Sequence, residues 1–206
     1  MAFTTYTDLK NTIADYLARS DLTTQIPDFI RLAEQRLRRD LRIRQMLKVA
    51  TADTTVNDST VSLPSDFLAM KDLHLDTNPV RVLQFQNTSN FFRNARTTDK
   101  GVPTMYTLLG SEFQFAPYPD AVYTLKMVYY HKPDFLSDSN ASNLFLATCP
   151  DLLLYGALAE AEPYLMNDER LATWASLYDR GLASLRASDD DSEYPSSPMS
   201  ITLSTR

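Results

Sequence analysis

The sequence predicts an α+β protein: a helical bundle body drawn from both ends of the chain, a central β-barrel or sandwich insertion, and an extended C-terminal arm. Three observations predict it. Apolar residues recur at helical spacing near both ends of the chain. From about Ile43 to Lys132 the spacing changes to alternation, with Thr and Val enriched. Beyond Ser188 the apolar periodicity gives way to an acidic, Ser/Thr-rich stretch. The boundaries that follow are 1–42 and 133–187 for the two parts of the body, 43–132 for the insertion and 188–206 for the arm.

The first helix is expected to start at a Thr7 cap with Asp8 in its first turn, where an acidic group suits the helix dipole. Leu9, Ile13 and Leu17 give it a narrow apolar stripe, and Arg19-Ser20-Asp21 breaks it. Pro27 suits the first turn of a second helix, whose inward face is Phe29, Ile30, Ala33, Leu37 and Leu41. Strands are predicted over Met46–Val56 and Thr60–Leu63, and from the Leu63–Phe67 turn through Leu75. Asn78-Pro79 turns the chain, and Val80, Val82 and Gln84 alternate with Arg81 and Leu83. A short helix over Thr88–Arg96 is capped by Asn87 or Thr88. Gly110-Ser111 joins Met105–Leu109 to Glu112–Ala116 as a hairpin, and Tyr123–His131 makes a further strand. Pro133–Asn143 reads as a polar loop. Pro150 opens a helix with Leu153, Leu154, Ala157, Leu158 and Ala161 inward, ended or bent by Pro163. Asn167 or Asp168 caps a last helix with Leu171, Trp174, Ala175, Tyr178, Leu182 and Leu185 inward.

Composition narrows the function. The 44% hydrophobic content is ample for a packed core. Only 4 Gly stand against 11 Pro, which disfavours glycine-rich phosphate loops. A net charge of -6 argues against a general nucleic-acid binder. The N-terminus turns polar within a few residues and no apolar run approaches the roughly 20 residues of a membrane span, so the chain is expected to be made in the cytoplasm without a membrane anchor.

Catalytic, cofactor and metal chemistry finds no foothold. His74 and His131 lie in predicted strands, away from each other and from Cys149, without metal-ligand spacing. Cys149 reads as a packed thiol before a helix. Glu160 and Glu162 flank Ala161 on a helix, about 200° apart, so they do not face one substrate. That weighs against a cell-wall hydrolase, which needs two carboxylates across a cleft.

Several words occur in order along the chain: Tyr6-Thr7-Asp8-Leu9, Ile26-Pro27-Asp28-Phe29-Ile30-Arg31-Leu32-Ala33-Glu34, Arg38-Arg39-Asp40-Leu41-Arg42 and Leu63-Pro64-Ser65-Asp66-Phe67. Pro150-Asp151-Leu152-Leu153-Leu154-Tyr155-Gly156-Ala157-Leu158 and Asp168-Glu169-Arg170-Leu171, with Trp174 and Tyr178, complete the set. Together they resemble the bacteriophage head-to-tail adaptor (connector) family, whose podophage members are of the tail tubular protein A type. The resemblance implies a virion structural protein and a ring of about twelve copies. It implies partners in the portal protein above and a nozzle, stopper or other tail protein below, with phage DNA passing through the lumen without sequence-specific binding. It carries over no catalytic residue, and the alternatives to it are a tail-associated cell-wall hydrolase and a non-viral scaffold or adaptor domain.

A ring subunit needs two different patches that close head to tail. Arg31, Arg36, Arg38, Arg39, Arg42, Arg44 and Lys48 make a basic stretch, and Asp189, Asp190, Asp191 and Glu193 an acidic one. The arginines are expected to meet acidic surface on the portal or a neighbouring copy, where a planar guanidinium pairs with carboxylates at two points. A solvated helix face is the plainer reading of the same residues. Tyr194, Met199, Ile201 and Leu203 are expected to anchor the arm on the portal or an adjacent subunit.

Overall fold

The structure is a computed structural model and describes residues 3–95, 99–166 and 168–193. In chain order its elements begin with α1 (Tyr6–Leu17), α2 (Ile26–Asp40), a 3-10 turn (Arg44–Met46), β1 (Leu47–Asp53), β2 (Thr60–Ser62) and β3 (Phe67–Leu75). β4 (Arg81–Val82), β5 (Gln84–Phe85), α3 (Thr88–Asn94), β6 (Lys100–Gly101), β7 (Met105–Leu109) and β8 (Glu112–Ala116) follow. β9 (Tyr118–Pro119), β10 (Thr124–His131), α4 (Leu144–Thr148), α5 (Pro150–Tyr164) and α6 (Asp168–Glu193) complete it. The chain is a mixed α+β protein of two compact units. One is helical, drawn from Met1–Gln45 and Pro133–Arg206; the other is β-rich, Met46–Lys132.

In the helical unit, the cap of α1 is Thr5, two residues before the expected one. Thr5 takes an extended backbone, its hydroxyl accepts from the Asp8 amide, and the Asp8 carboxylate accepts from the Thr5 amide, both at 3.2 Å. This reciprocal pair satisfies two amides that an open helix end leaves unpaired. Leu9, Ile13 and Leu17 are buried as their spacing predicts, joined by Tyr6. In α2 the expected face (Phe29, Ile30, Ala33, Leu37) is buried, but so is Glu34. α5 lies at the centre and packs against α1, α2, α4 and α6. It buries Leu152, Leu153, Leu154, Gly156, Ala157, Leu158, Ala159, Ala161 and Glu162, so it is covered all round rather than on the one face predicted. Two glycines permit this approach. A Cβ at Gly156 would lie 3.0 Å from the Ala33 side chain, and one at Gly181 only 2.8 Å from Leu152. Pro163 sits in the last turn, and the helix stops one residue later.

Two elements depart from expectation. α4 was not foreseen; Asn143 caps it through the Leu146 amide at 3.0 Å. The arm expected from Ser188 is helical to Glu193. The Asp189 carboxylate there accepts from the Arg44 amide at 3.0 and 3.1 Å, and the Ser192 hydroxyl donates to the Ser188 carbonyl at 2.7 Å. The fold thus gives the acidic end an intramolecular partner, which local composition does not reveal. Any arm begins beyond Glu193.

The β unit holds two four-stranded sheets, ordered β1-β10-β3-β4 and β2-β8-β7-β5, and a short β6-β9 pair. β1 and β10 pair antiparallel over seven residues, from Leu47↔Tyr130 to Asp53↔Thr124, without a register shift. β7 and β8 form the predicted hairpin, with Gly110 at φ +59 in its turn. The first sheet contributes Leu73, Leu75, Leu125, Met127 and Tyr129 to a single core, and the second contributes Tyr106, Phe113 and Phe115. Leu83, between β4 and β5, plugs the same core. Among the described residues the sheets stay separate, so of the two expected β architectures this is the sandwich, not a closed barrel.

Candidate protein-interaction surface

Most of the predicted basic stretch is occupied within its own unit. Arg31 and Arg38 lie seven residues apart on α2 and therefore share a face. Their guanidinium carbons stand 4.3 and 3.4 Å from the Phe135 ring centroid. Arg38 also donates to the Pro133 carbonyl. Between these arginines, Glu34 accepts from the Leu136 amide at 3.0 Å and from the Asn143 side-chain amide at 2.6 Å. Burial pushes the Glu34 carboxyl above its ordinary pKa, although these hydrogen bonds and the two arginines pull the other way. Tyr6 donates its amide to the Ala141 carbonyl at 2.7 Å, and Lys10 pairs with Asp138 at 2.8 Å. The polar loop Pro133–Asn143 is thereby pinned to α1 and α2.

The remaining arginines divide. Arg36 lies over the Tyr178 ring at 4.0 Å and reaches Asp40 at 3.6 Å and Asp179 at 3.5 Å, binding α2 to α6. Arg42 donates to the carbonyls of Arg38 at 2.8 Å and Leu41 at 2.5 Å, satisfying acceptors where α2 ends. Arg44 donates from its side chain to the Ser192 carbonyl at 3.3 Å, near the end of α6. Lys48, in the β unit, pairs with Asp66 at 2.6 Å. Arg39 is exposed, and its side chain has no partner among the described residues. The structure therefore gathers Arg31, Arg36, Arg38, Arg42 and Arg44 into internal contacts and leaves Arg39 to solvent. Tyr194, Met199, Ile201 and Leu203 lie outside the described residues.

The other polar residues singled out in the sequence are likewise engaged. His74 contacts Asp72 at 3.0 Å, and His131 contacts the Met46 carbonyl at 2.8 Å. Cys149 is buried, and that burial pushes its thiol up to about 12. Glu162 accepts from the Trp174 indole at 2.9 Å, while its second oxygen has no partner among the described residues. Among the described residues no group of three His, Cys, Asp or Glu side chains is placed to hold a metal. No helix among them is long and apolar enough to cross a membrane.

Sequence reasoning missed the edges of the sandwich. Val49 on β1, Val82 on β4 and Phe85 on β5 are 56%, 64% and 57% exposed, each on a strand that ends its sheet. Alternation revealed the strands, but an edge is defined by long-range pairing, which no local pattern encodes.

The fold is that of a mixed α+β protein with a helical unit and a β-sandwich unit, and a family model assigns it: the SU10 adaptor protein model aligns with residues 4–201, through both units. The chain belongs to the SU10 adaptor protein family. It is accordingly a phage adaptor, a virion component that interacts with other head or tail proteins. No curated protein matches the chain.

Proposed function

We propose that the chain is a head-to-tail adaptor: a ring of about twelve copies docks on the portal, continues the DNA channel and offers a platform to the nozzle or tail proteins. The family match across residues 4–201 carries this reading. In the division of labour we infer, the helical body holds the subunit rigid, the β insertion presents surface to neighbours, and the arm, starting after Glu193, fastens copies through Tyr194, Met199, Ile201 and Leu203.

The basic contribution to docking narrows first to Arg39, because it is exposed and its guanidinium has no partner among the described residues, leaving it to meet a partner's carboxylates. Arg38 is a poor probe, since its substitution also frees the Phe135 ring and the Pro133 carbonyl. The net charge of -6 suits a lumen through which DNA slides rather than sticks.

Purified chain mixed with portal rings and sedimented through a gradient tests the reading. Wild-type chain should travel with the portal, Arg39→Glu should bind at least tenfold more weakly, and a chain truncated after Glu193 should bind poorly while staying folded. Wild-type chain left at the top of the gradient would overturn the reading.

A further inference from the structure

Among the described residues no strand pairs with the outer edge of β1. Edge strands in monomeric proteins are blunted by charge, proline, a bulge or brevity, because their free amides and carbonyls template further strands. β1 is seven residues long and pairs with β10 without a shift. Its two charges are engaged: Lys48 with Asp66 at 2.6 Å, and Asp53 accepting from the Thr124 hydroxyl at 2.8 Å. Between them Val49-Ala50-Thr51-Ala52 carries no charge and no proline.

The direction of the free groups follows from the ladder. The Thr54 amide donates to the Tyr123 carbonyl at 2.9 Å, extending the β1–β10 pairing by one step. Hydrogen-bonded pairs alternate in an antiparallel ladder, so Ala52 and Ala50 bond toward Leu125 and Met127. Val49 and Thr51 therefore direct their amides and carbonyls to the open side. Ala50 and Ala52 face the core as small, partly buried residues, leaving room for larger apolar side chains beside them.

The sequence of the C-terminus supplies a matching occupant. Met199-Ser200-Ile201-Thr202-Leu203-Ser204-Thr205 is also seven residues and uncharged, and from Met199 to Ser204 it alternates between apolar and small hydroxylic side chains. Five residues, Tyr194 to Pro198, separate it from the end of α6, enough to span about 17 Å. We infer that residues 199–205 of one copy add as a strand to the β1 edge of a neighbouring copy. Met199, Ile201 and Leu203 then extend the core past Ala50 and Ala52, while main-chain bonds from Val49 and Thr51 hold the strand. The second copy is the occupant because a ring closes through two different patches, and a strand given to one neighbour and received from the other is such a pair. The inference rests on the ring reading above and deepens it.

Cysteine pairs placed in assembled phage particles test it. In a Cys149→Ser background, Thr51→Cys is combined in turn with Ser200→Cys, Thr202→Cys and Ser204→Cys, which share the face away from the core, and with Ile201→Cys, which does not. Oxidation should give a ladder of covalently joined copies on a non-reducing gel for one of the first three, and none for Ile201→Cys. No ladder from particles that contain the variants, or an intrachain product alone, would overturn the inference and leave portal docking standing. Hydrogen exchange on wild-type particles needs no variant: the Val49 and Thr51 amides should be protected relative to the dissociated chain, and equal exchange would contradict strand addition. Absence of the chain from the portal vertex would instead remove the ring reading itself.

Discussion

The helical unit and the β unit use polar groups in opposite ways. The helical unit turns charge inward: Glu34 is buried among amide donors, Arg31 and Arg38 cover Phe135, Arg36 bridges α2 to α6, and Glu162 receives the Trp174 indole. The β unit keeps a core of aliphatic and aromatic side chains and places its free polar groups at the sheet margins, in the backbone. An arginine-rich helix face that looks like a docking surface in the sequence is therefore largely mortar. The part of the molecule that looks inert carries exposed apolar residues on the end strands of its sheets.

The largest effect expected from breaking this contrast lies in the sandwich. Phe113 is fully buried, with ring centroids of Phe67, Tyr106 and Phe115 within 5.9–6.3 Å. Phe113→Ala should cost about 3–5 kcal/mol in denaturant unfolding, transfer and cavity terms together. In the helical unit, overpacking is the sharper probe. Gly156→Val drives side-chain atoms into Ala33 and Tyr178 and should cost about 1–3 kcal/mol.

Removing a buried acceptor comes next. Glu34→Ala leaves the Leu136 amide and the Asn143 side chain unpaired, a loss of about 1–3 kcal/mol, whereas Glu34→Gln keeps an acceptor and should lose less. The pH dependence separates the two contributions. Because the folded pKa of Glu34 lies above the ordinary 4.5, its folded form is favoured when protonated. That advantage is complete below 4.5 and disappears as pH rises through the folded value. Wild-type stability should therefore fall relative to Glu34→Gln as pH is raised above 4.5, and parallel pH profiles would show that burial of the charge is not felt.

The smallest effects concern the groups left over. Arg39→Ala should change stability by no more than about 0.5 kcal/mol, since the side chain makes no internal contact among the described residues. Cys149, with its thiol pushed up to about 12, should resist alkylation at pH 8 in the folded chain and react on unfolding. Rapid labelling of the native chain would mean that the α4–α5 junction opens readily.

Much of this architecture is legible locally. The stripe in α1, the inward face of α2, the Gly110-Ser111 hairpin and the start of α5 at Pro150 all follow from spacing and turn chemistry. Where local reading failed, the cause was a partner distant in sequence or a feature too short for periodicity. α4 spans five residues and offers no repeating stripe. α6 continues through its acidic end because Asp189 meets the Arg44 amide 145 residues away. The burial of Glu34 is not legible locally because nothing near it in sequence announces Leu136 or Asn143. The β1 edge was invisible for the same reason, since its exposure is a fact of sheet order.

A cryo-electron microscopy reconstruction of the head–tail junction of intact particles tests the central claim most directly. The account predicts a closed ring of this chain beneath the portal, encircling the channel, with the β units meeting between neighbouring copies. Density for the chain elsewhere in the particle, or single copies without mutual contact at the portal, would contradict it.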